Sequence, residues 1–174
     1  NMAACSPVVV DDFVFVVTAN GVDENHINIP PPQAPSFIAL SKESGKLLWK
    51  YQAEGKLIGR VAIDERAIYF GAGDGYVYSV DTSTGLLKWR SRTGAAIEAS
   101  PVLVAEKVLV ASFDNFVYAL SRTHGDRIWK RRLENRIAAA PIVEGDACLV
   151  APLRGDYVAV LLNSGGRRVN SFRL

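Results

Sequence analysis

The chain reads as an all-β protein, a β-propeller of four-stranded antiparallel blades with about four blades in its 174 residues. Three observations predict this. Trp49, Trp89 and Trp129 recur at an interval of 40 residues, each four residues after a glycine (Gly45, Gly85, Gly125), and Gly165 keeps the beat with Val169 where its tryptophan would stand. A period near 40 is a mark of repeat architecture. Each period holds four short runs rich in Val, Ile, Tyr, Phe and Trp, separated by turn residues. No segment sustains a helical apolar period with caps over ten or more residues.

Set on the glycine beat, one propeller segment covering residues 1–174 divides at about 1–52, 53–92, 93–132 and 133–174. The third unit is the clearest. IEASPVLV (97–104), KVLVASFDN (107–115), FVYALSRTHG (116–125) and DRIWKRR (126–132) give four strands with turns between them. KLIGRVAI, RAIYFGAGDG, YVYSVDTSTG and LLKWRSR repeat it in the second unit, so that Tyr78 matches Tyr118 and Asp74 matches Asp114. In the fourth, RIAAAPIV, ACLVAPLRGD, YVAVLLNSGG and RRVNSFRL follow the same order. Pro7, Pro101 and Pro141 open the first strands of their units, where a missing N–H breaks no ladder. The glycines permit the tight turn between the third and fourth strands. A tryptophan on the outer strand offers a flat surface to a neighbouring blade. Burying about 150–250 Å² of it is worth roughly 4–6 kcal/mol as an upper bound.

Composition excludes several classes. No apolar run approaches the roughly 18 residues of a membrane-spanning helix. The formal charge of +2 is uneven: from Ser121 onward ten Lys/Arg face five Asp/Glu, and the first 120 residues hold the other ten against thirteen. The run Lys130-Arg131-Arg132 reads as a solvated strand end rather than a nucleic-acid site, which would concentrate basic residues on one face among stacking aromatics. Cys5 and Cys148 are too few for a disulfide scaffold. Cys148 aligns with Val14, Ile68 and Val108 and reads as a small buried hydrophobe. GAGDG (71–75) precedes a strand, so it reads as a turn rather than a phosphate loop, and Arg154-Gly155-Asp156 likewise falls at a hairpin turn. The chain opens on Asn1 before Met2 and shows no signal segment, which suggests a piece of a longer protein or a trimmed form.

YVYSVDTSTGLLKW (76–89), FVYALSRTHGDRIW (116–129) and FIALSKESGKLLW (37–49) resemble the tryptophan-docking repeat of the pyrroloquinoline quinone propellers, roughly ALDxxTGxxxW. The resemblance spans essentially the whole chain. It implies fold rather than activity, since the family holds quinoprotein alcohol and glucose dehydrogenases as well as the non-catalytic outer-membrane assembly factor BamB. The family aspartate stands only at Asp81; Ser41, Ser121 and Leu161 occupy its equivalents. Family propellers have seven or eight blades, so the resemblance implies either half of a larger propeller or a ring closed by a homodimer. It also implies a periplasmic or secreted setting.

The inserted stretch VDENHINIPPPQAP (22–35) has no counterpart in the other units and lies between the second and third strands of the first. Loops on a rigid scaffold often carry function. Asp23, Glu24, Asn25, His26 and Asn28 are therefore the candidate partner contacts. Their first reading is a polar loop stiffened by Pro30, Pro31, Pro32 and Pro35. A protein contact comes second and a Ca²⁺ site last, because adjacent side chains cannot all turn toward one ion. His26 and His124 have no nucleophile beside them and receive no catalytic role. The reading that follows is a non-catalytic binding and scaffold module similar in kind to BamB, with no catalytic residues, metal or cofactor. The alternative is a fragment of a quinoprotein dehydrogenase carrying pyrroloquinoline quinone with calcium.

Overall fold

A computed structural model describes residues 7–18, 35–154 and 156–173. They form sixteen strands in four antiparallel sheets, each built from four consecutive strands. The first blade contains β1 (Val8–Val10), β2 (Phe13–Val17), β3 (Phe37–Ser41) and β4 (Leu47–Tyr51). The second contains β5 (Ala62–Ile63), β6 (Ala67–Gly71), β7 (Tyr76–Asp81) and β8 (Leu87–Arg92). The third is β9 (Val102–Val104), β10 (Lys107–Ala111), β11 (Phe116–Ser121) and β12 (Arg127–Arg132). The fourth is β13 (Ile142–Glu144), β14 (Ala147–Val150), β15 (Tyr157–Leu162) and β16 (Arg168–Arg173). This is the four-bladed, all-β propeller architecture that the repeat predicts.

The alternation of apolar residues explains how the blades stack. In β6, Ala67 and Tyr69 turn toward the third blade, while Ile68 and Phe70 turn toward the first. Both faces of the inner strands are therefore apolar, and β6 is buried along its whole length. Three cores result, one per junction. Phe15, Phe37 and Ala39 meet Ile68, Phe70 and Tyr78 between the first two blades. Tyr69, Val77 and Trp89 meet Val108, Val110 and Tyr118 at the next. Leu109, Val117 and Trp129 meet Cys148, Ala159 and Leu161 at the last.

The structure corrects the sequence reading in two places. The first strand of each blade is shorter than expected, two or three residues beginning at Ala62, Val102 and Ile142. The preceding residues form the connection between blades, and Leu57, Ile97 and Ile137 anchor it in the core. Pro7, Pro101 and Pro141 stand immediately before these strands rather than within the expected longer ones.

The second correction concerns the fourth blade. Val110 pairs with Tyr118, but Val150 pairs with Ala159, so the β14–β15 connection is one residue longer than its counterpart. Everything after it shifts. The left-handed residue of the last turn is Gly166 (φ 67°), not Gly165, matching Gly45, Gly85 and Gly125. Leu162, not Leu161, donates its N–H across that turn as Asp81 does in the second blade. Asn170 pairs with Val160 as Trp129 pairs with Ala119, so the tryptophan position holds Asn170 rather than Val169.

Candidate functional site

Each tryptophan side chain crosses a blade junction to the following turn. Trp49 Nε1 donates to the carbonyl of Thr82 (3.1 Å), Trp89 to that of Arg122 (2.9 Å) and Trp129 to that of Asn163 (2.9 Å). The indoles lie over Gly85, Gly125 and Gly166, where an added Cβ would come within 2.5–2.6 Å of a ring carbon. Glycine is required there twice over, by positive φ and by the ring against it. These repeat residues therefore form the joints between blades.

Several aspartates are engaged in turns and joints. Asp81 Oδ1 accepts the main-chain N–H groups of Ser83 (3.1 Å) and Thr84 (2.9 Å) and both their hydroxyls. The Ser83 hydroxyl leads in holding this carboxyl below its usual range; burial opposes the shift, and Thr84 adds to it. Ser41 and Ser121 supply a weaker version, each hydroxyl facing the N–H of Ser44 or His124. Leu162 has no group for this. Asp74 and Asp114 close the β6–β7 and β10–β11 turns by accepting the N–H of Tyr76 and Phe116 at 3.0 Å. The hydroxyls of Tyr78 (2.6 Å) and Tyr118 also donate to them. Burial, reinforced by the neighbouring carboxylate, pushes the Tyr118 phenol up to about 12 and raises that of Tyr78 as well. The fourth blade has Ala159 at the tyrosine position.

A charged cavity of about 570 Å³ lies between the second and third blades and is lined by Asp64, Arg66, Tyr69, Lys88, Glu106 and Arg122, among others. Asp64 sits at the β5–β6 turn, and its Oδ1 accepts the N–H groups of Arg66 and Ala67 (2.8 Å each). Its Oδ2 pairs with the Arg122 guanidinium and accepts from the Tyr69 hydroxyl (3.2 Å). Burial disfavours the Asp64 charge, but Arg122 and the two N–H groups outweigh it and hold the carboxyl below its ordinary value. Arg122 also donates to the Ala105 carbonyl (2.6 Å), while its own carbonyl takes the Trp89 N–H. Sequence reasoning passed over this cluster because Asp64 and Arg122 are 58 residues apart, Asp64 lies outside the repeat motif and Arg122 fills one of its variable positions.

Asp23, Glu24, Asn25, His26 and Asn28 lie outside the described residues, as does Cys5. Their stretch joins Val17 to Phe37, at the strand ends where the other blades make their second-to-third-strand turns. At that end Asn115, Asn135, Arg136, Leu153 and Arg154 line a cavity of about 420 Å³. Cys148 is fully buried, and burial raises its thiol to about 11. His124 is exposed in the β11–β12 turn. The basic run is divided: Lys130 lies over the Phe116 ring (4.6 Å), and Arg131 donates to the Gly166 carbonyl (2.6 Å). Among the described residues, no three His, Cys, Asp or Glu side chains gather as a metal site would require. No helix among them is long and apolar enough to cross a membrane.

Among solved structures, BamB from Moraxella catarrhalis superimposes with a TM-score of 0.73 at 18% identity, over 97% of this chain and 48% of that one. Quinohemoprotein alcohol dehydrogenase from Comamonas testosteroni gives 0.71 at 16% identity, over 97% of this chain and 34% of the other. At such identities these similarities are of fold. Tetrathionate hydrolase from Acidithiobacillus ferrooxidans is 28% identical over 64 residues, 37% of this chain and 13% of that protein. The chain thus spans about half the length, or less, of each of these proteins. A family model described as outer membrane protein assembly factor BamB matches residues 34–171, well over half of the chain. The repeat, the four stacked blades and this match together place the chain in the BamB family of pyrroloquinoline quinone-like propeller proteins.

Proposed function

We propose that the chain is a non-catalytic propeller segment that serves as a binding and scaffold module, similar in kind to the assembly factor of its family, in an extracytoplasmic setting. The observation that supports this most is the use of its carboxylates. Asp64, Asp74, Asp81 and Asp114 are each occupied by main-chain N–H groups together with hydroxyls or an arginine, within turns and at a blade joint. A protein contact falls to the inserted loop, with Asp23, Glu24, Asn25, His26 and Asn28. On this reading the four blades are part of a ring completed by further blades.

The other reading is a fragment of a quinoprotein dehydrogenase, whose group would be pyrroloquinoline quinone with Ca²⁺. Against that reading stands one observation: among the described residues, no three His, Cys, Asp or Glu side chains gather as its Ca²⁺ would require. Titrating the chain with pyrroloquinoline quinone and Ca²⁺ is expected to give no stoichiometric binding and no dye-linked alcohol oxidation. Binding with turnover would overturn the scaffold reading.

A further inference from the structure

The outer wall of the propeller carries charge of one sign. The outer strands hold one Lys or Arg in β4, three in β8, four in β12 and two in β16, with no Asp or Glu in any of the four. Half of the chain's 20 basic residues therefore lie on these strands, and none of its 18 acidic ones. Exposed pairs with Glu54, Glu134 and Asp156 offset three of the ten, and Asp81 stands 3.9 Å from Lys88. Pairs at such exposed sites are weak. Lys50, Arg92, Arg127 and Arg132 have no ion pair among the described residues. In the turn that leads into β4, Glu43 is the one acidic residue, between Lys42 and Lys46.

The same strands carry exposed apolar side chains. Six of the twelve large apolar residues exposed among the described residues lie on them, and Leu86 stands one residue before β8. They concentrate at the joint of the first two blades, where Leu48, Leu86 and Leu87 are 47%, 68% and 45% exposed. Trp49 brings these three together: its indole lies over Gly85, next to Leu86 and Leu87, and Leu48 precedes it in β4. Trp49 is itself only half-buried, while Trp89 and Trp129 are 8% exposed. Packing does not demand leucine at these places. At the next two joints Asp126-Arg127 and Arg167-Arg168 follow the glycine in the same register, beneath indoles that are better buried.

Cations interleaved with exposed aliphatic side chains and a part-exposed indole match the chemistry of an anionic lipid interface. There aliphatic groups leave water at the boundary of headgroups and acyl chains, an indole sits at headgroup level, and lysine stems extend their ammonium groups to the phosphates. A nucleic-acid face would offer aromatics for stacking, whereas Phe172 is the only aromatic among the six exposed apolar residues of these strands. The outer strands face away from the ring, so closing it does not cover them. The inserted loop attaches at Val17 and Phe37, at the opposite end of the first blade from Leu48, so this surface is distinct from the partner contact proposed above.

We propose that the outer wall at the joint of the first and second blades docks on a lipid bilayer with anionic headgroups. Leu48, Leu86 and Leu87 enter the boundary of headgroups and acyl chains, and the exposed Lys46, Lys50 and Lys88 hold headgroup phosphates beside them. The basic outer strand of the third blade adds attraction that salt screens. Docking uses charge and apolar insertion together.

Vesicle co-sedimentation of the full chain tests this. Vesicles of equal parts phosphatidylcholine and phosphatidylglycerol are expected to carry the chain down, and vesicles of phosphatidylcholine alone are not. The double substitution Leu86→Asp/Leu87→Arg installs the third blade's own pair, Asp126-Arg127, so the repeat accommodates it and the net charge is unchanged. It should weaken binding about ten-fold or more, because the burial of two leucines is lost. Lys46→Glu/Lys50→Glu alters exposed residues and should weaken binding by a similar factor, about ten-fold. Both variants should melt at the parent's temperature. No binding to the anionic vesicles would overturn the proposal, as would equal binding to phosphatidylcholine alone. Binding that falls with the lysines but is unaffected by Leu86→Asp/Leu87→Arg would overturn it too, since the contact would then be purely electrostatic. So would self-association of the parent chain without vesicles that Leu86→Asp/Leu87→Arg abolishes, because the leucines would then serve a second copy.

Discussion

Trp89 shows how one side chain joins two blades. Its ring lies on Gly125, its edge packs with Tyr69 at 5.9 Å, and its N–H reaches the Arg122 carbonyl. Only 8% of it remains exposed. Removing it leaves a cavity at the joint and takes the donor from a part-buried carbonyl. Trp89→Ala is therefore expected to destabilise the chain by about 3–5 kcal/mol, the usual range for a buried aromatic. Trp89→Phe keeps most of the apolar area and loses chiefly the hydrogen bond, a loss of about 1 kcal/mol. Denaturant midpoints of the two variants check both the size and the order; equal midpoints would remove the hydrogen-bonded dock.

At the scale of elements, the β5–β6 turn and the β11–β12 turn are tied by the Asp64–Arg122 pair, which couples the second blade to the third beside the tryptophan. The Asp64 carboxyl is held below its ordinary value, so the folded state binds its proton less readily than the unfolded chain. Its contribution is complete above the unfolded aspartate range near pH 4, and is lost as pH falls through the lowered folded value. Asp64→Asn should destabilise the chain by about 1–3 kcal/mol at neutral pH, as expected for hydrogen bonds to a charged group. The difference from the parent should shrink as pH is lowered from about 5 toward 2. Stability curves for both proteins across that window decide it; a gap that does not change with pH would mean that the charge contributes nothing.

At the scale of the molecule, stability is graded along the chain. The two middle blades have neighbours on both sides, and their inner strands β6 and β10 are almost wholly buried. Among the described residues, the fourth blade packs against the third on one side only. Its outer strand is exposed, it lacks the tryptophan, and Leu162 leaves its last turn without a side-chain cap. Local opening is easiest where buried apolar contacts are fewest. Amide exchange should therefore be fastest in β16, slower in β12 and β8, and slowest in β6 and β10. Protection of β16 equal to that of β12 would show that the outward face of the fourth blade is covered in solution, which would place a neighbour there.

The sequence by itself determined the architecture. A 40-residue beat, four β-rich runs per period and a glycine before each tryptophan leave few other ways to bury both faces of a blade, because periodicity survives in the order of residues. It also made the inserted loop at 22–35 visible as a long break in the repeat. The tertiary structure alone decided what depends on register and on distant contacts. One extra residue between β14 and β15 moved the fourth turn to Gly166 and the tryptophan place to Asn170, a shift that a fixed interval of 40 cannot detect. The pairing of Asp64 with Arg122 arises because stacking brings the first turn of one blade against the last turn of the next. Packing alone likewise distinguishes the Gly45 turn, where an added Cβ would meet nothing within 4 Å among the described residues, from the turns that read the same in sequence and hold an indole.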